Sequence, residues 1–121
     1  MLTSLGRFLR KIRIDHGEVL KDMADKLGVT ASFLSAVENG KKRMPSSWNS
    51  LICSLYELNN EQMDELTRAI AESENKIELD FTNASGTQRE LAVSFARKFN
   101  DFDERQLKSF IELLRRGNDN K

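Results

Sequence analysis

Apolar residues in the first half of the chain recur at spacings of three and four, the period of helices that bury one face. Leu5, Phe8, Leu9 and Ile12 mark a first helix that ends near His16 and Gly17. Leu20, Met23, Ala24 and Leu27 mark a second, and Gly28 follows where the chain needs a residue at home in the left-handed region. Val29 is an apolar residue within the turn, Thr30 offers a hydroxyl cap, and Leu34 and Val37 point inward from a third helix. The second and third helices therefore share one apolar seam across a tight turn. Ala24 matters for its size, because a larger side chain there would push the third helix away and widen the crossing. The face left outward on the third helix carries Ala31, Ser32, Phe33, Ser35, Ala36 and Asn39.

After Gly40 the basic stretch KKRMPSS holds the single proline, and Ser46 or Ser47 is placed to cap a fourth helix bearing Trp48, Leu51, Ile52, Leu55 and Leu58. Asn59 and Gln62 have the spacing of a capping box for a fifth helix, with Met63, Leu66 and Ile70 inward. From Lys76 the period changes. Ile77, Leu79 and Phe81 alternate with Lys76, Glu78, Asp80 and Thr82, which predicts either a half-buried strand or an extended linker that packs three side chains on the helical body. A strand here needs a mate outside the chain, since no second run of this kind exists in it. NASG at residues 83–86 breaks the chain, Thr87 and Glu90 have capping-box spacing, and Leu91, Ala92, Phe95, Ala96 and Phe99 predict a sixth helix. Asp103 with Gln106 repeats the signal for a seventh, with Leu107, Phe110, Ile111 and Leu114 on one face and Arg115 and Arg116 suiting its negative end. Gly117 is expected to close that helix and NDNK, residues 118–121, to fray. The final hairpin carries more apolar surface than so small a unit can hide, so it is expected to pack on the first domain or on a second subunit. The expected boundaries are 1–74 for the five-helix domain and 75–121 for the appendage.

Length and charge narrow the class. A chain of 121 residues suits one small domain with an appendage, and its apolar content supports a core without disulfides. Nineteen basic and nineteen acidic residues cancel overall, unlike a nonspecific nucleic-acid coat. They are unevenly spread: residues 1–60 hold nine Lys or Arg against six Asp or Glu, and residues 61–121 hold ten against thirteen. A lone Cys53 among Leu51, Ile52 and Leu55 reads as a small buried hydrophobe and fits a reducing compartment. No apolar run is long enough to cross a bilayer, and MLTSLGRFLRKIR threads charges where a signal peptide would be apolar, so a cytoplasmic protein is expected.

Two helices joined by a tight turn, with a short-chained outward face and cations just beyond, form the arrangement that lets a helix enter the major groove of DNA. On these residues the chain resembles the lambda-repressor-like, Cro and XRE family of regulators. Met23 to Thr30, MADKLGVT, is similar to that family's Leu-Ala-x-x-Leu-Gly-Val-Ser, while Leu34, Ser35, Glu38, Asn39 and Gly40 match its Ile-Ser-x-x-Glu-x-Gly ending. LRKIRIDHG, Leu9 to Gly17, resembles its first helix. The resemblance covers roughly residues 3 to 70. It implies an all-α fold, a five-helix lambda-repressor-like DNA-binding domain, followed here by the short extended strand and the helical hairpin.

The resemblance also implies roles. Base reading would fall on Ala31, Ser32, Phe33 and Ala36, with help from Ser35. Phosphate contact would fall on Asn39 by the family pattern, and on Lys21, Thr30, Lys41, Lys42 and Arg43 by charge, hydrogen-bonding capacity and position. Arg13 would pair with Glu38 and orient the recognition helix. Long amides and guanidinia are missing from the outward front, so methyl contacts to thymine from Ala31 and Phe33, and indirect readout, are expected to carry unusual weight. Phe33 has a competing place inward as core or dimer surface. The chain departs from the family pattern at Leu20, where Gln is common, and by one added residue between Gly40 and Pro45.

Enzymatic readings find little support. His16 is the single histidine and sits beside Gly17 at a helix end, no metal-ligand cluster is evident, and the glycines form no phosphate-cradling loop. No cofactor is expected. The expected partners are double-stranded DNA and a second copy of the chain, with a protein partner through residues 76–117 as the alternative, and no membrane. The expected function is a dimeric repressor on a two-fold operator; an antitoxin-like interaction protein that autoregulates through its front domain is the rival.

Overall fold

The computed structural model describes residues 1–119, with side chains as far as Arg116. Seven α-helices follow one another: α1 Ser4–Asp15, α2 Leu20–Leu27, α3 Ala31–Glu38, α4 Trp48–Leu55, α5 Asn60–Ser73, α6 Gly86–Lys98 and α7 Glu104–Asp119, with a single 3-10 turn at Phe99–Asp101. Two compact units divide the chain, one from Met1 to Glu78 and the other from Leu79 on. No described helix is long and apolar enough to cross a membrane.

In the first unit α1 is the axis. It packs against α5, α3 and α2, while α2 also packs against α3 and α4. The residues that recur at helical spacing form the core: Leu5, Leu9 and Ile12 of α1, Met23 of α2, Leu34 of α3, Ile52 of α4 and Leu66 of α5 are almost wholly enclosed. Each such side chain contributes about 2 kcal/mol by leaving water, and interdigitation rather than any staple closes the domain. Leu58, expected on the fourth helix, joins this core from the loop after α4, whereas Leu51 and Leu55 are exposed on α4.

Local chemistry sets the helix ends. Thr3 and Asn59 accept hydrogen bonds from the first-turn amides of α1 and α5, and Gln62 returns the bond at Asn59. α4 differs from expectation. Ser47 occupies the cap position but its hydroxyl makes no capping bond, and the Trp48 amide donates instead to the Pro45 carbonyl at 3.0 Å. At the other end of α4, Glu57 is the sole described non-glycine residue at positive φ, 48°.

The chain from Lys76 onward corrects several expectations. No strand occurs among the described residues: 76–82 is irregular, with Ile77 and Leu79 67% and 68% exposed. Without a second strand in reach, its polar groups bond locally. The Thr82 amide and hydroxyl both donate to Asp80 Oδ1, at 2.9 and 2.6 Å, and the Ala84 amide donates to the Phe81 carbonyl at 3.0 Å. Phe81 alone of the three alternating residues is half-buried, under the Arg89 guanidinium, which also donates to the Phe81 carbonyl. The capping box of α6 is Ser85 with Gln88, two residues before the Thr87 and Glu90 pair that has the same spacing. Asp103 and Gln106 cap α7 reciprocally as expected. Gly117 does not close α7, which runs through Asp119; of the NDNK end expected to fray, residues 120–121 lie outside the described residues. Phe95, Phe99, Phe102 and Phe110 form a ring cluster with centroids 5.0 to 6.2 Å apart. It leaves Leu91, Phe99, Ile111, Leu113 and Leu114 more than half exposed.

Candidate nucleic-acid interface

Helix α2 ends at Gly28, whose φ of 74° turns the backbone so that the Val29 amide reaches the Ala24 carbonyl at 3.0 Å. Three residues later the chain is helical again. Thr30 Oγ1 accepts from the Phe33 amide at 3.0 Å and fixes the start of α3. Ala24 is buried between the two helices, with Leu27, Leu34 and Val37 completing the seam.

The far end of α3 is fastened to α1. Thr3 donates both its amide and its hydroxyl to the Glu38 carbonyl, at 3.0 and 3.2 Å, while its oxygen accepts from the Gly6 amide at 3.0 Å. Gly6 makes this approach possible, because a Cβ built on it would stand 2.1 Å from the Glu38 carbonyl oxygen. The Glu38 side chain points back into α1. Arg13 donates Nη1 to Oε2 at 2.6 Å and Nη2 to Oε1 at 3.5 Å, and its Nη1 also lies 3.6 Å from the Met23 sulfur. Arg13 and Glu38 are 7% and 4% exposed, so the pair is a buried fork that fixes angle more than it adds net stability.

A helix held at both ends presents a defined face. Ser32 and Thr30 are exposed; Ala31, Ser35 and Ala36 are partly covered. Phe33 is also half-buried, its ring edge-on to Trp48 with centroids 5.9 Å apart. Asn39 donates its amide nitrogen to the Ser35 carbonyl at 2.9 Å, so that side chain closes its own helix. Gly40, with φ 76°, then reverses the chain and the amides of Lys41 and Lys42 both reach the Ala36 carbonyl. Lys41, Lys42 and Arg43 are exposed just past the helix, and Lys21, on α2, stands 3.2 Å from Asp25. Buried Met44 anchors the end of the cationic loop, and its amide donates to Glu74 Oε1 at 3.1 Å.

Sequence reasoning missed two structural supports of this face. Gly6 is one; the readable signal was a glycine in the first turn of an otherwise well-patterned helix, where it costs about 1 kcal/mol relative to alanine. The other is a polar knot behind α2. Tyr56 donates to Glu18 Oε1 at 2.7 Å, Lys26 pairs with Glu18 Oε2 and lies 4.8 Å over the Tyr56 ring, and His16 meets that ring edge-on at 5.0 Å. Burial pulls the Glu18 carboxyl upward, but hydrogen bonds from Lys26 and Tyr56 outweigh it and hold the group below the ordinary carboxylate range. Burial, with Glu18 beside it, pushes the Tyr56 phenol far up. Cys53 is half-buried, and burial raises its thiol above the ordinary value.

Comparison with known families matches residues 4–66, just over half of the chain, to the helix-turn-helix domain. No curated protein and no solved structure matches the chain. The matched stretch runs from α1 into α5 and contains the Gly28 turn, the Thr30 cap and the Arg13–Glu38 fork that fix α3. The chain belongs to the helix-turn-helix domain family, a DNA-binding class, through the same residues on which it resembles the lambda-repressor-like, Cro and XRE regulators.

Proposed function

We propose that this protein is a sequence-specific DNA-binding transcriptional regulator, a dimeric repressor that occupies a two-fold operator with half-sites about one helical turn apart. The observation that carries the reading is α3, locked at Thr30 and at Glu38, with Ser32 exposed at its front and three exposed cations directly behind it. In this reading α3 enters the major groove. Ala31, Ser32, Phe33, Ser35 and Ala36 face base edges, and Lys21, Thr30, Asn39, Lys41, Lys42 and Arg43 hold the phosphates. Phe33 offers the exposed part of a ring braced by Trp48, which suits a thymine methyl better than a mobile side chain would. Occupying a promoter excludes polymerase without any chemistry.

The region from Lys76 onward supplies dimer contacts, and the exposed apolar residues of α6 and α7 support that assignment. The same face favours a second reading, in which it holds another protein and the front domain autoregulates. Site selection from random DNA followed by titration tests the first. Lys41→Ala weakens binding to every duplex and lowers the salt dependence, whereas Ala31→Gln changes which base is preferred. Equal effects of both on selected and random duplexes overturn the assignment, and sedimentation of the purified chain separates self-association from a monomer awaiting a partner.

A further inference from the structure

The cationic loop after α3 is held from an unexpected side. Met44 ends it, and the Met44 amide donates to Glu74 Oε1 at 3.1 Å; Glu74 follows the last residue of α5, thirty positions away in sequence. One residue earlier in the loop, Arg43 Nη1 stands 3.8 Å from Glu78 Oε1, on the segment that leads out of the first unit. Lys42, Arg43, Glu74 and Lys76 line one cleft of about 330 Å³ with Thr3 and Gly40, so the end of α5, the loop and the α1–α3 junction meet at one place.

Two carboxylates thus act on the loop in different ways. Glu74 grips backbone: with Met44 buried, its acceptor fixes where the chain turns and therefore where the three preceding cations stand. Glu78 grips a side chain. The Arg43–Glu78 pair is exposed on both sides, 44% and 71%, so water and salt screen it and it holds Arg43 weakly. A phosphate approaching Arg43 competes with that carboxylate and meets its negative charge.

Resting on the DNA-binding reading above, we propose that Glu74 is a positioning residue of the phosphate-gripping loop and that Glu78 is a built-in competitor for Arg43, so that the segment 74–78 sets the affinity of the domain for DNA. Moving that segment would change loop geometry and free Arg43 together. The exit of the DNA-binding domain is then a control point, available to whatever acts on the chain beyond it.

The test is a fluorescence-anisotropy titration of the full chain against a random-sequence duplex and a selected one, across a range of salt. Glu78→Gln is expected to tighten binding about threefold on both duplexes, an effect that fades as salt rises. In an Arg43→Ala background the same change is expected to gain nothing. Glu72→Gln removes an equal charge from exposed α5 and is expected to leave affinity as it was. Glu74→Ala is expected to weaken binding about tenfold while Glu74→Gln, which keeps an acceptor for the Met44 amide, restores most of it. Trp48 emission shows whether each variant is folded at the assay temperature, and if Glu74→Ala is not, the Glu74→Gln and Glu78 arms decide. No gain from Glu78→Gln, an equal gain without Arg43, or an equal gain from Glu72→Gln overturns the competitor role. Parent-like binding by Glu74→Ala, or no rescue by glutamine, overturns the positioning role. A parent chain that binds neither duplex at low salt instead overturns the DNA-binding reading itself.

Discussion

The two units are written in the same amphipathic code but close differently. In the first, helices of eight to fourteen residues enclose leucines and isoleucines that are 2% exposed or less. In the second, α6 and α7 are thirteen and sixteen residues long, yet every buried apolar side chain among the described residues belongs to the first unit. Helix length and apolar content therefore do not decide burial. The first unit has α1 with neighbours on several sides and a glycine that lets α3 touch it, whereas the hairpin gathers four phenylalanines into a cluster that itself stays partly exposed and leaves Leu91, Ile111, Leu113 and Leu114 facing out. Where the first unit spends its hydrophobic surface on fold, the second leaves much of it exposed.

The sharpest way to break the comparison is to remove the close approach. Gly6→Ala forces α1 from α3 against backbone, and with it go the two Thr3 bonds to the Glu38 carbonyl. A loss of about 4 kcal/mol is expected, read from chemical denaturation with Trp48, the single tryptophan, as reporter. A loss below about 1 kcal/mol would mean the approach is not tight. Arg13→Ala comes next. It leaves buried Glu38 without its fork and is expected to cost about 3 kcal/mol, with much of the loss recovered when Glu38→Leu is combined with Arg13→Met, since two apolar groups need no partner. An unchanged melting curve in Arg13→Ala would count against the pair's structural role.

What was legible in the sequence was whatever chemistry is settled within a few residues. The Gly28 stop, the Thr30 cap and the Asn59–Gln62 box need only a local turn of backbone, and each is where its residue type predicts. The Arg13–Glu38 fork spans twenty-five positions and was visible only through the resemblance. Gly6 and the Glu18–Tyr56 bond depend on which helices cross, and no periodicity states that. The misplaced cap of α6 is instructive: Ser85–Gln88 and Thr87–Glu90 have equal spacing, and the choice falls on the pair that lets Gly86 begin the helix. The strand failed for a nonlocal reason, because alternation specifies a face and a sheet requires a mate. The outward face of α3 was legible as a surface, but the contact of Phe33 with Trp48 depended on where α4 would lie.

Smaller and opposite in sign is the effect expected at Glu57. There α4 ends with the Leu58 amide reaching the Cys53 carbonyl, the closure made by glycine at Gly28 and Gly40, but with a side chain held at φ 48°. Glu57→Gly removes that strain at the cost of some freedom gained by the unfolded chain, for a net gain of about 0.5 kcal/mol and a rise in Tm of about 3 °C. A lowered Tm would show that Glu57 makes a contact worth more than its strain.

The weakest effect separates the units by the company their carboxylates keep. Glu18 and Asp80 are both held below the ordinary carboxylate range, Glu18 because the Lys26 and Tyr56 bonds outweigh burial, and Asp80 by the Thr82 hydroxyl and amide two residues away. Because folding depresses the Glu18 pKa, its contribution is complete above the unfolded-state value and drains away as pH falls through the folded-state value. Its partners lie eight and thirty-eight positions away and meet it only in the folded domain. Asp80 is fully exposed, and its partner Thr82 remains within reach when the chain unfolds, so little of its shift is linked to folding. Carboxyl resonances followed by NMR should therefore show both groups titrating low. Trp48-monitored denaturation in acid should lose part of its pH slope in Glu18→Gln and keep it in Asp80→Asn; the reverse pattern would place the folding-linked carboxylate in the wrong unit.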